Sequence, residues 1–201
     1  MKKKTIALVL ACILCVGIGI GGTLAWLTAT SGPVTNTFTS SDIDVTLTES
    51  ANLDLKMVPG HTITKDPKAT VVSGSEDCYL FVKVEKSSNF DAFMTYEVAD
   101  GWTQLTTDKD DKPLTDIVYY KVFDSKDATN TNVKGTAYSI LKNNQVSVLG
   151  TVTKSAMNAL AETTKPTLTF TAYASQLYKS NTQTFNPAEA WANAQPTTPT
   201  T

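Results

Sequence analysis

The sequence predicts an all-β fold, an antiparallel sandwich of short strands with one or two short helices. Three observations lead there. Apolar residues recur with period two in several windows, and turn-forming residues punctuate those windows at short intervals. Thr occurs 33 times in 201 residues, a β-branched side chain suited to a pleated, half-buried surface.

Taken in chain order, the first element is not part of that fold. Lys2, Lys3 and Lys4 precede an apolar run from Ile6 to Ile20 that ends in Gly21-Gly22-Thr23-Leu24-Ala25. This is the three-part layout of a secretory signal, so residues 1–25 are expected to direct export. Peptidase cleavage needs small side chains at −1 and −3. Ala25 with Thr23 fits best, and Ala29 is second because Leu27 occupies its −3 position. The cleavage region is therefore Thr23, Ala25, Trp26 and Ala29. An uncleaved anchor over residues 5–27 is one alternative, weakened by four glycines in its second half. Lipidation at Cys12, after Val9-Leu10-Ala11, is another, but it would cut the apolar run in half. Cleavage removes Cys12 and Cys15 and leaves Cys78 as the one thiol, so no internal disulfide is expected. It also leaves 14 Lys against 19 acidic residues.

Strands follow. Ile43, Val45 and Leu47 share a face against Asp44, Thr46 and Thr48. Cys78, Leu80, Val82 and Val84 oppose Tyr79, Phe81, Lys83 and Glu85. Leu168, Phe170, Ala172 and Ala174 oppose Thr167, Thr169, Thr171 and Tyr173. Residues 117–123 and 146–152 are apolar on both sides and read as central strands, while 62–72 and 94–98 are weaker candidates. Turn chemistry separates them at Pro59-Gly60, Ser73-Gly74, Asp100-Gly101, 108–113, 130–135 and Asn143-Asn144. Met157, Leu160 and Ala161 have helical spacing. Asn186-Pro187-Ala188-Glu189 reads as an N-cap, a proline at N1 and an acid at N3, opening a helix over 187–194 whose Trp191 is expected to plug one end of the sandwich. Residues 195–201 form a Pro/Thr tail without apolar area to bury.

Composition narrows function before any motif is found. All 17 basic residues are Lys, so the planar bidentate fork of Arg is missing and sequence-specific nucleic-acid binding is not expected. His occurs once, which starves most catalytic arrangements of a base.

Several stretches carry a resemblance. "GIGGTLAWLT" followed by "NTFTSSDIDVTLTE" resembles the signals cut by the SipW-type peptidase of Gram-positive bacteria and the start of their TasA/camelysin-like substrates. "LKMVPGHTITKDPKATVVSGSEDCYLFVKVE" is similar to that family's proline-glycine turn, Lys-Asp-Pro step and central strand, and "LTFTAYASQ" with "FNPAEAWANA" fits related clostridial members. The resemblance implies a jelly-roll-like sandwich. It also implies a secreted protein of the cell surface or biofilm matrix, with the signal peptidase and other matrix subunits as partners and the membrane touched only through the signal. TasA-like subunits assemble into fibres by donating an N-terminal strand. Here Val34, Asn36 and Phe38 alternate with Thr35, Thr37 and Thr39, a β-prone segment beside the new N-terminus. Pairing of that segment within its own subunit is the alternative. The expected organisation is thus a signal (1–25), an N-terminal segment holding the candidate donor strand (26–48), a sandwich with a C-terminal helix (49–194) and the tail (195–201).

The remaining candidates are chemical. Camelysin relatives carry a metallopeptidase label, but His61 stands alone without His-Glu-x-x-His, so no zinc peptidase site is expected. No catalytic residue and no cofactor are assigned. Asp108, Asp110, Asp111 and Asp116 cluster around Lys109 and Lys112 as weak calcium candidates, without the glycine and closing glutamate of an EF-hand loop. Cys78, in an expected buried strand, reads as an inert core thiol. Trp102, Trp191 and Tyr119 are the aromatic side chains that a glycan-binding face would use, the basis of an alternative reading as a monomeric binding module for glycan or protein. Lys-to-Asn isopeptide cross-links occur in pilins, but no particular pair is marked here.

Overall fold

The computed structural model of the chain describes residues 42–50 and 56–195. The alternating windows become strands β1 (Val45–Thr48), β2 (Thr62–Thr64), β3 (Lys68–Val71), β4 (Cys78–Lys86), β5 (Met94–Val98), β6 (Thr103–Thr107) and β7 (Pro113–Phe123). They continue as β8 (Tyr138–Ser139), β9 (Leu141–Val148), β10 (Leu168–Gln176), β11 (Tyr178–Ser180) and β12 (Gln183–Thr184). Among the described residues the helices are α1 (Phe90–Phe93), α2 (Lys154–Asn158) and α3 (Pro187–Ala194), with a 3-10 turn at Glu162–Thr164.

All strand pairings among the described residues are antiparallel. One sheet has the order β10-β4-β7-β6, and the opposing layer holds β1-β3-β8 and β2-β9-β5. Since β2 runs on into β3 and β8 into β9 across short interruptions, that layer behaves as four strands. Its order is β1, β2 with β3, β8 with β9, then β5. The chain changes layer between β3 and β4, β4 and β5, β5 and β6, β7 and β8, and β9 and β10. This weave makes an antiparallel, jelly-roll-like β-sandwich.

Between the layers lies the larger core. Leu80, Val82 and Val84 of β4, with Cys78 and Phe170, meet Ile63, Ala69, Val71, Val146 and Val148 from the opposing layer. The period-two reading of β4 is right for this face and incomplete for the other. Tyr79 and Phe81, expected outward, are buried at 6% and 0% exposure. The cause is α3, which lies across the outer face of the β10-β4-β7-β6 sheet and seals it with Ala190 and Trp191. The helix covers a face and does not plug an end. Its cap is the expected one: Glu189 N donates to Asn186 Oδ1 at 2.9 Å, and Asn186 N donates to Glu189 Oε2 at 3.0 Å.

Local chemistry explains where the strands break. Pro67 has no N–H to give, and the single expected strand over 62–72 divides into β2 and β3 around it, with Ile140 N donating to the Pro67 carbonyl at 3.0 Å. Asn143 and Asn144 take left-handed φ of 55° and 53°, as turn chemistry suggests, yet the chain does not reverse. They form a bulge inside β9, where Tyr96 faces Val146 but Val98 faces Leu141. The expected strand at 146–152 therefore ends at Val148 and starts earlier, at Leu141. The helical spacing of Met157, Leu160 and Ala161 yields only the five-residue α2, which buries none of its side chains. β1 pairs with β3 from Val45↔Val71 to Thr48↔Lys68, so the sandwich takes in residues ahead of the expected boundary at 49.

Candidate functional site

Edge geometry is what this fold offers for function. β10 pairs with β4 along its whole length, from Leu168↔Lys86 to Gln176↔Cys78. On its other side no strand among the described residues pairs with it: β1 lies beside it but bonds to β3. Nine residues is long for a strand that, among the described residues, pairs on one side alone.

An apolar hollow of about 420 Å3 opens beneath the start of this edge. Met57, Ile63, Phe90, Met94, Val146 and Leu168 line it. Lys65 stands at its side, paired with Glu49 at 2.9 Å and 5.6 Å from the centre of the Phe170 ring. Lys165, also lining the hollow, pairs with Glu162 at 2.8 Å. Both ammonium groups are thus engaged by carboxylates, and the interior is suited to apolar side chains.

The residues singled out from sequence fall in three groups. Thr23, Ala25, Trp26 and Ala29 of the cleavage region, and Val34, Asn36 and Phe38 of the candidate donor strand, lie outside the described residues, as do 196–201 of the tail. The four aspartates are not gathered into a calcium site. Asp108 Oδ1 accepts from Asp110 N at 2.8 Å and Lys112 N at 3.0 Å, closing the β6–β7 hairpin and holding its carboxyl below the usual range. Asp110 pairs with Lys109 at 2.9 Å, Asp111 sits at the hairpin tip with φ 58°, and Asp116 turns to Lys83 on β4 at 3.2 Å. Among the described residues no group of three or more His, Cys, Asp or Glu could hold a metal ion.

The three aromatics are likewise dispersed. Trp102 packs on the inter-layer core and donates Nε1 to the Ser139 carbonyl at 2.9 Å. Tyr119 faces the same core, whereas Trp191 is buried under α3, 5.3 Å from Phe81 and 5.2 Å from Tyr173 between ring centres. They share no surface, so a glycan-binding face built from them is ruled out. His61 occupies an exposed position after the Pro59-Gly60 turn, its N–H on the Val58 carbonyl. Cys78 is fully buried, and burial pushes its thiol up to about 11.

One buried group had no signature in the sequence. Lys121 lies on the inward row of β7 at 7% exposure, donates to the Gly101 carbonyl at 2.6 Å, and sits 5.2 and 4.9 Å from the ring centres of Trp102 and Tyr138. Its burial holds the ammonium below its usual range. Gly101 takes φ 81°, in the left-handed region that favours glycine, where its carbonyl meets the Lys121 ammonium.

Comparison with protein families, curated proteins and solved structures returns no match to this chain. Its functional reading rests on its own geometry and on the resemblance of its motifs.

Proposed function

We propose that the chain is an exported structural protein of a Gram-positive cell surface or biofilm matrix, released by a SipW-type signal peptidase and assembled by strand donation between subunits. The observation that carries this reading is the long β10 edge above an apolar hollow. Such an edge accepts an extended segment through main-chain hydrogen bonds, and the hollow gives a place for one of its apolar side chains. The segment bearing Val34, Asn36 and Phe38 has a matching alternation, with apolar Val34 and Phe38 flanking Asn36 on one face and threonines on the other. Processing then acts as the switch, because the segment gains a free end only when the signal is removed.

Electron microscopy and sedimentation of the processed protein test this. Fibres are expected from the wild type. Phe38→Asp is expected to leave monomers with an unchanged unfolding midpoint. A wild-type protein that stays monomeric under all conditions, with residues 30–40 protected from hydrogen exchange in the monomer, overturns the reading.

A further inference from the structure

We propose that a second hollow, between the outer edge strand β6 and the start of α3, binds a neutral saccharide. The hollow has a volume of about 290 Å3, near the lower end for small-molecule sites and of the size of one or two sugar rings. β6 and β10 are opposite edges of one sheet, so this site is independent of strand donation at β10.

A sugar presents apolar C–H faces and a rim of hydroxyl groups. Its site needs an aromatic or apolar floor flanked by side chains that accept and donate hydrogen bonds. Both are present. Tyr120, Leu105 and Pro187 supply the apolar part. Tyr120 is held in place by Tyr79, at 6.0 Å between ring centres and 67° between planes, and by Phe81 at 6.1 Å. Its ring therefore needs little ordering when a ligand arrives.

The polar part comes from the side chains of Asp108, Asp111 and Asn186. Two backbone amides fix one oxygen of Asp108 and keep the group ionised. Its second oxygen takes no part in those two bonds and is a strong acceptor for a sugar hydroxyl. The Asn186 Oδ1 is already engaged by the Glu189 N–H, leaving its NH2 group to donate. The charge around the hollow argues for a neutral ligand. Asp108, Asp110 and Asp111 outnumber Lys109 and Lys112 at this hairpin tip, and the Lys109 ammonium is bound to Asp110 at 2.9 Å, so a phosphate or uronate would meet net repulsion.

Calorimetric titration of the purified protein with maltotetraose, cellotetraose and chitotetraose, followed by hydrogen exchange, tests the site. At least one of the three is expected to bind with Kd of ~1 mM or tighter, and to protect residues 104–111 and 186–188. Asp111→Asn is expected to weaken that binding about fivefold, the size of one hydrogen bond. Asn is at home in the left-handed region, so Asp111→Asn keeps the hairpin. Tyr120→Ala is expected to abolish binding, and Asp111→Asn, with an unchanged unfolding midpoint, separates that loss from loosening of the sheet. Absence of binding by all three sugars, protection elsewhere, or wild-type affinity in Asp111→Asn overturns the proposal.

Discussion

Lys121 is a cation set between two layers of apolar side chains, held by one carbonyl and two aromatic rings. Lys121→Met keeps the stem packed but leaves the Gly101 carbonyl without its donor, and is expected to cost about 1–2 kcal/mol near neutral pH, read from urea midpoints. The pH dependence has a definite sign. The folded-state pKa lies below the unfolded value of about 10.4, so between the two the unfolded chain binds more protons and the folded state gains as pH rises. Wild-type stability should therefore climb relative to Lys121→Met as pH rises through that window. The same residue-scale logic applies to Cys78. Fully buried, with its thiol pushed up to about 11, it should resist iodoacetamide at mildly alkaline pH and react fully once urea unfolds the chain.

Among the elements, α3 shows most clearly how a short segment can change the environment of a strand remote in sequence. Eight residues at the C-terminal end convert the outer face of β4 from solvent-facing to buried. Trp191→Ala is expected to cost about 3–5 kcal/mol through the lost contacts with Phe81 and Tyr173. Asn186→Ala is expected to cost about 1 kcal/mol, through the cap alone. Chemical denaturation of the two variants checks both the sizes and their order. The β9 bulge offers a second element-scale contrast. Asn143→Gly should stay within about 0.5 kcal/mol of wild type, whereas Asn143→Val should cost about 1–2 kcal/mol, because a β-branched residue fits φ 55° poorly.

For the whole molecule, the two edges of one sheet are given different work in this reading: β10 to self-assembly and β6, with α3, to a saccharide. Thr169 is exposed and borders the hollow beneath β10. Thr169→Lys should place a charge on that edge, suppress fibres seen by electron microscopy, and change monomer stability by no more than about 0.5 kcal/mol. The all-β class, the inward row of β4, the α3 cap and the turn at 108–113 were legible in the sequence, because each depends on neighbours within a few positions. So were the period-two windows that became β1 and β10. β6 was not legible, since Thr103–Thr107 carries one buried apolar residue and draws its pairing from β7. The split at Pro67 and the continuation through Asn143-Asn144 escaped for a related reason: local chemistry marks a break, but only the partner strand decides whether the chain turns or bulges. The candidate sites divide in the same way. Residue types and spacing raise the expectation of an export-type signal with a β-prone segment behind it, both outside the described residues. Which strand keeps a free edge, which aspartates close a hairpin and which aromatics are buried apart depend on contacts between residues far apart in the chain, and these the tertiary structure alone decides.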